Sequence, residues 1–275
     1  MSRTLRIVLA YDGTELVGWQ RQPAGVSVQA RLEDALAAIE GRPVAVAGAG
    51  RTDAGVHALG QVASCRLDHP LPTATLATAL NAMLPPDIRV LEVAEAGETF
   101  HARYSARLKT YRYLIGNGAV VNPFERRYVW HVPHRLDIGA MAAAARALEG
   151  EHDFAALRGA GSSTKTTVRR LTAATVREST SAEVVGGCLS PASGGLAVRL
   201  VVFEFTGTGF LRHMARNAVG TLVEVGLGRR EPAWVAQVLA SRDRGQAGAT
   251  APACGLWLVG VEYDPAVLAP SERSL

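Results

Sequence analysis

Apolar positions along this chain switch between a period of two and a period near 3.6, and the switches predict its elements. Leu5 to Tyr11 reads as a strand, ended by Asp12-Gly13. A polar, aromatic-bearing loop follows at Trp19-Gln20-Arg21-Gln22-Pro23. Ser27 then suits an N-cap for a helix over about Val28 to Ile39. Its stripe is Val28, Leu32, Ala35, Leu36 and Ile39, and Gly41 ends it. Val44 to Ala47 reads as a short strand, Gln61 to Leu67 as its return, Thr75 to Met83 as a helix stopped by Pro85-Pro86, and Ile88 to Val93 as a strand. The order strand, helix, strand, strand, helix, strand is the split β-α-β pattern of ferredoxin-like sheets.

The second half predicts a similar round. Phe100 to Tyr113 mixes aromatics with positive charge, and at its end Tyr111 and Tyr113 share one strand face while Arg112 and Leu114 point the other way. Arg126 to Trp130 predicts a strand, about Asp137 to Leu148 a helix, and Thr167 to Arg177 and Leu196 to Phe205 two more strands. A helix from about Leu211 to Val225 places Arg212 with Arg216, and His213 with Asn217, along its faces. On that helix Arg216 falls on the polar side. Another helix, about Pro232 to Ala240, and a strand from Gly255 to Tyr263 complete the pattern. Residues 178–196 are rich in Ser and Gly and read as an exposed insertion, and the tail after Tyr263 reads as frayed. The resulting fold class is α/β, of the α+β kind. It comprises an N-terminal subdomain over 1–104, a C-terminal one over 105–265 and a tail over 266–275. Two such ferredoxin-like, RRM-like subdomains could set antiparallel sheets side by side around a cleft.

Composition narrows the class. The 275 residues are 48% hydrophobic and 20% charged, enough to build a core. No apolar run is long enough to span a bilayer, and the N-terminus does not resemble a signal peptide, so a cytoplasmic protein is expected. Cys65, Cys188 and Cys254 are odd in number and widely spaced, which gives neither a disulfide framework nor a metal motif. His131-Val132-Pro133-His134 is the best metal candidate but lacks a nearby Cys or acidic pair, so no metal is expected. Net charge is +4, and among 29 basic residues only Lys109 and Lys165 are lysine. Arginine suits forked contacts to phosphate and stacking on bases, so the balance permits a nucleic-acid partner without requiring one.

Chemistry concentrates in Gly48-Ala49-Gly50-Arg51-Thr52-Asp53-Ala54-Gly55-Val56-His57. Three glycines let this backbone bend and approach a ligand closely around one carboxylate. Arg51 would favour the ionised form of Asp53, which could then act as nucleophile or base. The same residues also suit a plain polar turn. The interleaved aromatics and cations of Phe100 to Tyr113 suit base stacking, or equally a half-buried strand packed on a helix.

Several blocks in order resemble the tRNA pseudouridine synthase A family over almost the whole chain. They are Tyr11-Asp12-Gly13, Gly18-Trp19-Gln20-Arg21-Gln22 with Ser27-Val28-Gln29, and Gly50 to His57. Phe100-His101-Ala102-Arg103, Tyr111-Arg112-Tyr113, Phe210-Leu211 with His213 to Asn217, and Gly255-Leu256 follow. The resemblance implies the pseudouridine synthase fold and a cofactor-free isomerisation of uridine to pseudouridine in tRNA, in the anticodon arm at positions 38, 39 and 40. It implies Asp53 as the catalytic aspartate, Tyr111 against the target base, Arg216 paired with the aspartate, and a homodimer. Substrate contacts are expected from Arg51, His57, Arg169 and Arg170, although for His57 a structural hydrogen-bonding role is the preferred reading. Asp53 could attack C1′, assist loss of the C2′ proton to give a glycal, or add to C6 of uracil. The competing functions are a pseudouridine synthase for other RNA positions and a non-catalytic RNA-binding protein. A metabolic enzyme on a ferredoxin-like scaffold has no supporting site motif.

Overall fold

Alternation in β1 (Arg3–Tyr11) turns Leu5, Ile7, Leu9 and Tyr11 to the interior, each at most 3% exposed. The computed structural model describes residues 2–161, 164–179 and 199–269. Its chain forms two units, Met1–Lys109 with Trp257–Leu275, and Thr110–Leu256.

In the first unit, α1 (Val28–Glu40) starts where Ser27 accepts the Ala30 N–H and stops at Gly41, whose φ of 78° is left-handed. Val28, Leu32, Ala35 and Leu36 are its buried stripe. The strand expected over Val44 to Ala47 is only β2 (Ala47–Gly48), paired with Ala63 and Ser64. β3 (His57–Leu67) begins four residues earlier than its apolar pattern predicted, because Leu59-Gly60 interrupts the alternation. α2 (Thr73–Met83) buries Leu76 and Leu80 and leads to β4 (Ile88–Glu95). β1 lies antiparallel between β3 and β4.

The second unit opens with β5 (Ala106–Asn117), whose last residues run parallel to β6 (Trp130–Val132). Asp137 caps α3 (Ile138–Ala145), and the helix tightens to a 3₁₀ turn at Arg146–Leu148. β7 (Gly150–Asp153) was not expected; at four residues it is too short to show a period. β7, β8 (Val168–Ser179) and β9 (Arg199–Gly207) are antiparallel neighbours, and β5 adjoins β9. Leu200, Val201, Val202 and Phe203 are all buried, so this part of β9 is covered on both sides.

α4 (Met214–Gly226) starts later than its sequence pattern predicts. His213 adopts a left-handed φ of 60°, so Leu211 and Arg212 precede the helix. The expected pairing of Arg212 with Arg216, and of His213 with Asn217, along helix faces therefore does not occur. α4 is buried nearly all round, with Gly220 under the Ala249 carbonyl, where a Cβ would lie 1.7 Å from the oxygen. α5 (Trp234–Ser241) follows.

β10 (Leu256–Tyr263) returns to the first unit, where Trp257 and Leu258 pair in parallel with His57 and Ala58. The segment after Tyr263 is ordered rather than frayed as far as Ala269. Asp264 caps a single turn, α6 (Pro265–Leu268), and Val267 and Leu268 pack on a cluster of Ala49, Val62, Ala96, Phe100 and Ala102. The Ser/Gly insertion lies almost wholly outside the described residues, as does Cys188. Among the described residues, no helix is long and apolar enough to cross a membrane.

In the first unit burial raises the Tyr263 phenol, and it pushes the Tyr11 phenol and the Cys65 thiol each up to about 12. Both resist ionisation in the folded state and ionise nearer their ordinary values once unfolded. Their contribution is fully present below about pH 8.5 and is lost as pH rises towards 12. Urea denaturation at pH 8 and pH 11 should therefore show a lower midpoint at pH 11. A Tyr11→Phe/Cys65→Ala variant should show a smaller drop between the two.

Candidate active site

The Asp53 loop is shaped by close backbone contacts rather than by an element of its own. Ala49 donates its N–H to Val62 O at 2.7 Å, and the chain then leaves the sheet. Val56 N–H donates to Asp53 O at 3.1 Å, which closes a turn around Ala54-Gly55. Across the loop, Trp19 N–H donates to Thr52 O at 3.1 Å and Gly55 N–H to Leu16 O at 3.3 Å. Gly18, with φ of 100°, faces the loop so closely that a Cβ would lie 2.4 Å from Thr52 O and 2.9 Å from the Asp53 carbonyl carbon. Gly13 abuts Val56 O at 2.0 Å by the same measure, and the Trp19 ring occupies the space a side chain at Gly48 would need. Thr52 and Val56 are buried at 6% and 1%, whereas Asp53 between them is partly exposed. A carboxylate held on a closely packed backbone yet partly open to solvent has the form of a pre-positioned nucleophile or base.

His57 is completely buried, so it is not at the surface to meet a substrate. Its ring stacks on Trp257 with centroids 4.4 Å apart and planes 25° apart. Nδ1 lies 3.1 Å from both the Gly13 backbone N and Asp12 Oδ1. The neutral tautomer accepts the Gly13 N–H there; a protonated Nδ1 donates to Asp12. In either state the ring ties the Asp12-Gly13 turn to the start of β3. Arg51 is exposed.

The second unit carries the other two expected catalytic residues. Tyr111, on β5, is 7% exposed and meets the Phe210 ring edge-on at 4.8 Å between centroids. Tyr113, two residues on, is fully buried and donates its hydroxyl to Pro252 O at 2.8 Å. Arg216, on α4, is half-buried rather than solvated, and its Nε donates to Ala251 O at 2.7 Å. Ala251 N–H returns a bond to Arg216 O at 3.2 Å. Burial pushes the Tyr113 phenol well above its ordinary value, and the nearby Arg216 charge opposes that shift. Neighbouring Asn217 is fully buried, with Nδ2 donating to Leu157 O, while Arg244 and Thr250 donate to its Oδ1.

Arg169 and Arg170 are successive residues of β8, so their side chains leave opposite faces. Arg169 is half-buried and bonds the Thr166 and Val168 carbonyls; burial lowers its pKa from the ordinary guanidinium value. Arg170 is exposed.

The structure also displays an exposed stack in the first unit. Tyr104 is 76% exposed, packs on the His101 ring at 4.4 Å, and lies under the Arg103 guanidinium at 5.7 Å. Aromatic and cation interleaving in the sequence points to this group, whereas Phe100 of the same run is buried. Thr52, Tyr11 and Gln61 surround the Asp53 loop from within, and sequence reasoning assigned them no role. His131 Nε2 lies 2.7 Å from Gly118 O, in hydrogen-bond contact with the backbone. Among the described residues no three His, Cys, Asp or Glu side chains are grouped to hold a metal.

Comparison with known proteins finds a family model, described as tRNA pseudouridine synthase, that matches residues 7–105 and 144–264. The tRNA pseudouridine synthase A of Syntrophotalea carbinolica is 46% identical over 261 residues, covering 95% of this chain and 96% of that protein. That of Pelobacter propionicus is 44% identical, covering 95% and 100%. That of Myxococcus xanthus is 45% identical over 259 residues, covering 94% and 91%.

Two glycines with positive φ test the loop's tight packing. Gly41 has open space where a Cβ would go, and Gly18 does not. Both alanine variants carry backbone strain of about 1 kcal/mol, and only Gly18→Ala adds a clash of about 1–3 kcal/mol. Chemical denaturation should rank Gly18→Ala as clearly the less stable; equal losses would mean that the loop yields freely.

Proposed function

The chain belongs to the tRNA pseudouridine synthase family, and on that footing we propose that it isomerises uridine at positions 38, 39 and 40 of the tRNA anticodon stem-loop, with Asp53 as the reacting carboxylate. The observation that carries the residue assignment is the Asp53 loop. It holds one partly exposed carboxylate on a backbone fixed by Gly18, Trp19 and Gly13. A protein that only bound RNA would gain nothing from presenting a carboxylate to a polyanion.

The reaction breaks the N1–C1′ bond, turns the uracil, and joins C5 to C1′ with loss of the C5 proton. Substrate and product have the same atoms, so the reaction balances without an oxidant or a group donor. Asp53 would act at the glycosidic bond or at C6. Arg216 would be the cation that pairs with this carboxylate, as the family resemblance implies. Tyr111 would stack on the uracil and take part in removing the C5 proton. The target base must leave the RNA stack first, at about a few kcal/mol. Arg51, Arg169 and Arg170 would contact phosphates, and each such contact makes binding salt-sensitive. His57 we assign to the fold of the site rather than to the substrate, since it is fully buried. A homodimer in the cytoplasm completes the proposal.

Tritium release from [5-³H]uridine-labelled tRNA tests this directly. The parent chain should release tritium, and Asp53→Asn should release none while still binding tRNA. Tyr111→Phe and Arg216→Gln should each lower turnover by about 10²-fold or more. Release by Asp53→Asn at the parent rate would sink the carboxylate assignment. Mapping the modified positions would decide between the anticodon arm and other uridines.

A further inference from the structure

Beneath the Asp53 loop lies a chain of buried polar groups that no packing requirement explains. Tyr11 and Gln61 stand on β1 and β3, and Thr52 stands on the loop itself. They are 3%, 0% and 6% exposed. The Tyr11 hydroxyl lies 2.8 Å from Thr52 Oγ1. Gln61 Nε2 donates to Gly50 O at 2.8 Å and to the Tyr11 hydroxyl at 3.4 Å. Gln61 Oε1 accepts the Val62 N–H at 3.2 Å. With Gln61 donating to it, the phenol oxygen has its own proton to give to Thr52. A direction thus runs through the group, from the β3 amide to the loop hydroxyl.

Phenylalanine and leucine would fill the same volume and need no partners. The polar version fixes something instead: both ends of the chain grip the loop, at Gly50 O and at the Thr52 hydroxyl. These are three residues and one residue before Asp53. From above, Trp19 N–H holds Thr52 O at 3.1 Å. Thr52 is therefore held through its backbone on one side and its side chain on the other. Gly50 and Gly55 have no side chains with which to resist rotation of the segment between them.

We propose that Tyr11, Thr52 and Gln61 are positioning residues for Asp53, and that their hydrogen-bond chain sets the direction in which the loop presents its carboxylate to the uridine. The proposal rests on Asp53 as the reacting group. Burial of Tyr11, which pushes its phenol up to about 12, keeps the chain protonated beyond the pH of about 10 at which an ordinary phenol ionises.

The test is single-turnover tritium release with Tyr11→Phe, Thr52→Val and Thr52→Ser, each at a temperature where circular dichroism shows it folded. Tyr11→Phe and Thr52→Val should lower the maximal rate by about tenfold to 10²-fold, the scale of a small misplacement of a catalytic group. Half-saturation by tRNA should stay within about twofold, because removing positioning leaves ground-state binding alone. Thr52→Ser, which keeps the hydroxyl, should recover most of the loss. The double variant Tyr11→Phe/Thr52→Val should lose little more than either single, since the two share one hydrogen bond. Should Tyr11→Phe fail to fold, Thr52→Val against Thr52→Ser carries the same comparison from the loop side. Parent rates in Tyr11→Phe and Thr52→Val beside an inactive Asp53→Asn would overturn this proposal and leave the Asp53 assignment standing. An equal loss in Thr52→Ser and Thr52→Val would also overturn it. Turnover by Asp53→Asn would overturn the assignment and the proposal together.

Discussion

Two backbones in near contact, Gly18 against Thr52-Asp53, set the geometry on which the first unit's site depends. At that distance a single methyl group does not fit, so glycine at position 18 is a steric requirement before it is a conformational one. The same logic recurs at Gly13 against Val56 and at Gly48 beneath the Trp19 indole. Three absent side chains thus bring the segments after β1 and after β2 together, and backbone hydrogen bonds from Trp19 to Thr52 and from Gly55 to Leu16 hold them in register. Such a bond contributes about 0.5–1.5 kcal/mol net, but leaving its buried partners unpaired would cost more. A loop made this way needs no helix or ladder of its own to be rigid. Rigidity is what a carboxylate needs if it is to meet one atom of a substrate repeatedly at the same angle.

Much of this was legible in the sequence where the signal is local. Ser27 and Gly41 mark both ends of α1, and the alternation of β1 marks its buried side. The glycine-flanked Asp53 loop stands out by composition, and its blocks carry the resemblance to the family. Signals failed where the outcome depends on distant residues. His57 reads as a structural hydrogen-bonding residue, but nothing local shows that its partners are Gly13 and the distant Trp257. Arg216 reads as a surface position on an amphipathic helix, yet it is half-buried and its Nε donates to Ala251 O. The first residues of the expected α4 are lost to a left-handed His213, a conformation that a histidine does not announce. Tyr11 lies 41 and 50 residues from Thr52 and Gln61, and nothing local shows that it shares hydrogen bonds with them.

The second unit answers to a different constraint. α4 is enclosed on nearly every side, so its polar residues must find partners within the protein. Asn217 and Thr221 do so through Leu157, Arg244, Thr250 and Gly248. Arg216 keeps one nitrogen on a carbonyl while its charge acts on the buried Tyr113 phenol. Burial in this unit therefore orients its cations and hydroxyls as firmly as glycine contacts orient the loop in the first.

The parallel pairing of β10 with β3 sets a timetable for synthesis. The edge of β3 is shared: β2 takes Ala63 and Ser64, and β10 takes His57 and Ala58, directly after the Asp53 loop. The β2 contact joins residues fifteen and seventeen apart, but Trp257 emerges about two hundred residues after His57, or about 10–40 s later at about 5–20 residues per second. During that interval the ring of His57 lacks its stacking partner and the strand that follows the loop has an open edge. An open edge is a template for other chains. The nascent protein thus keeps an unpaired strand edge directly after the Asp53 loop until β10 has emerged.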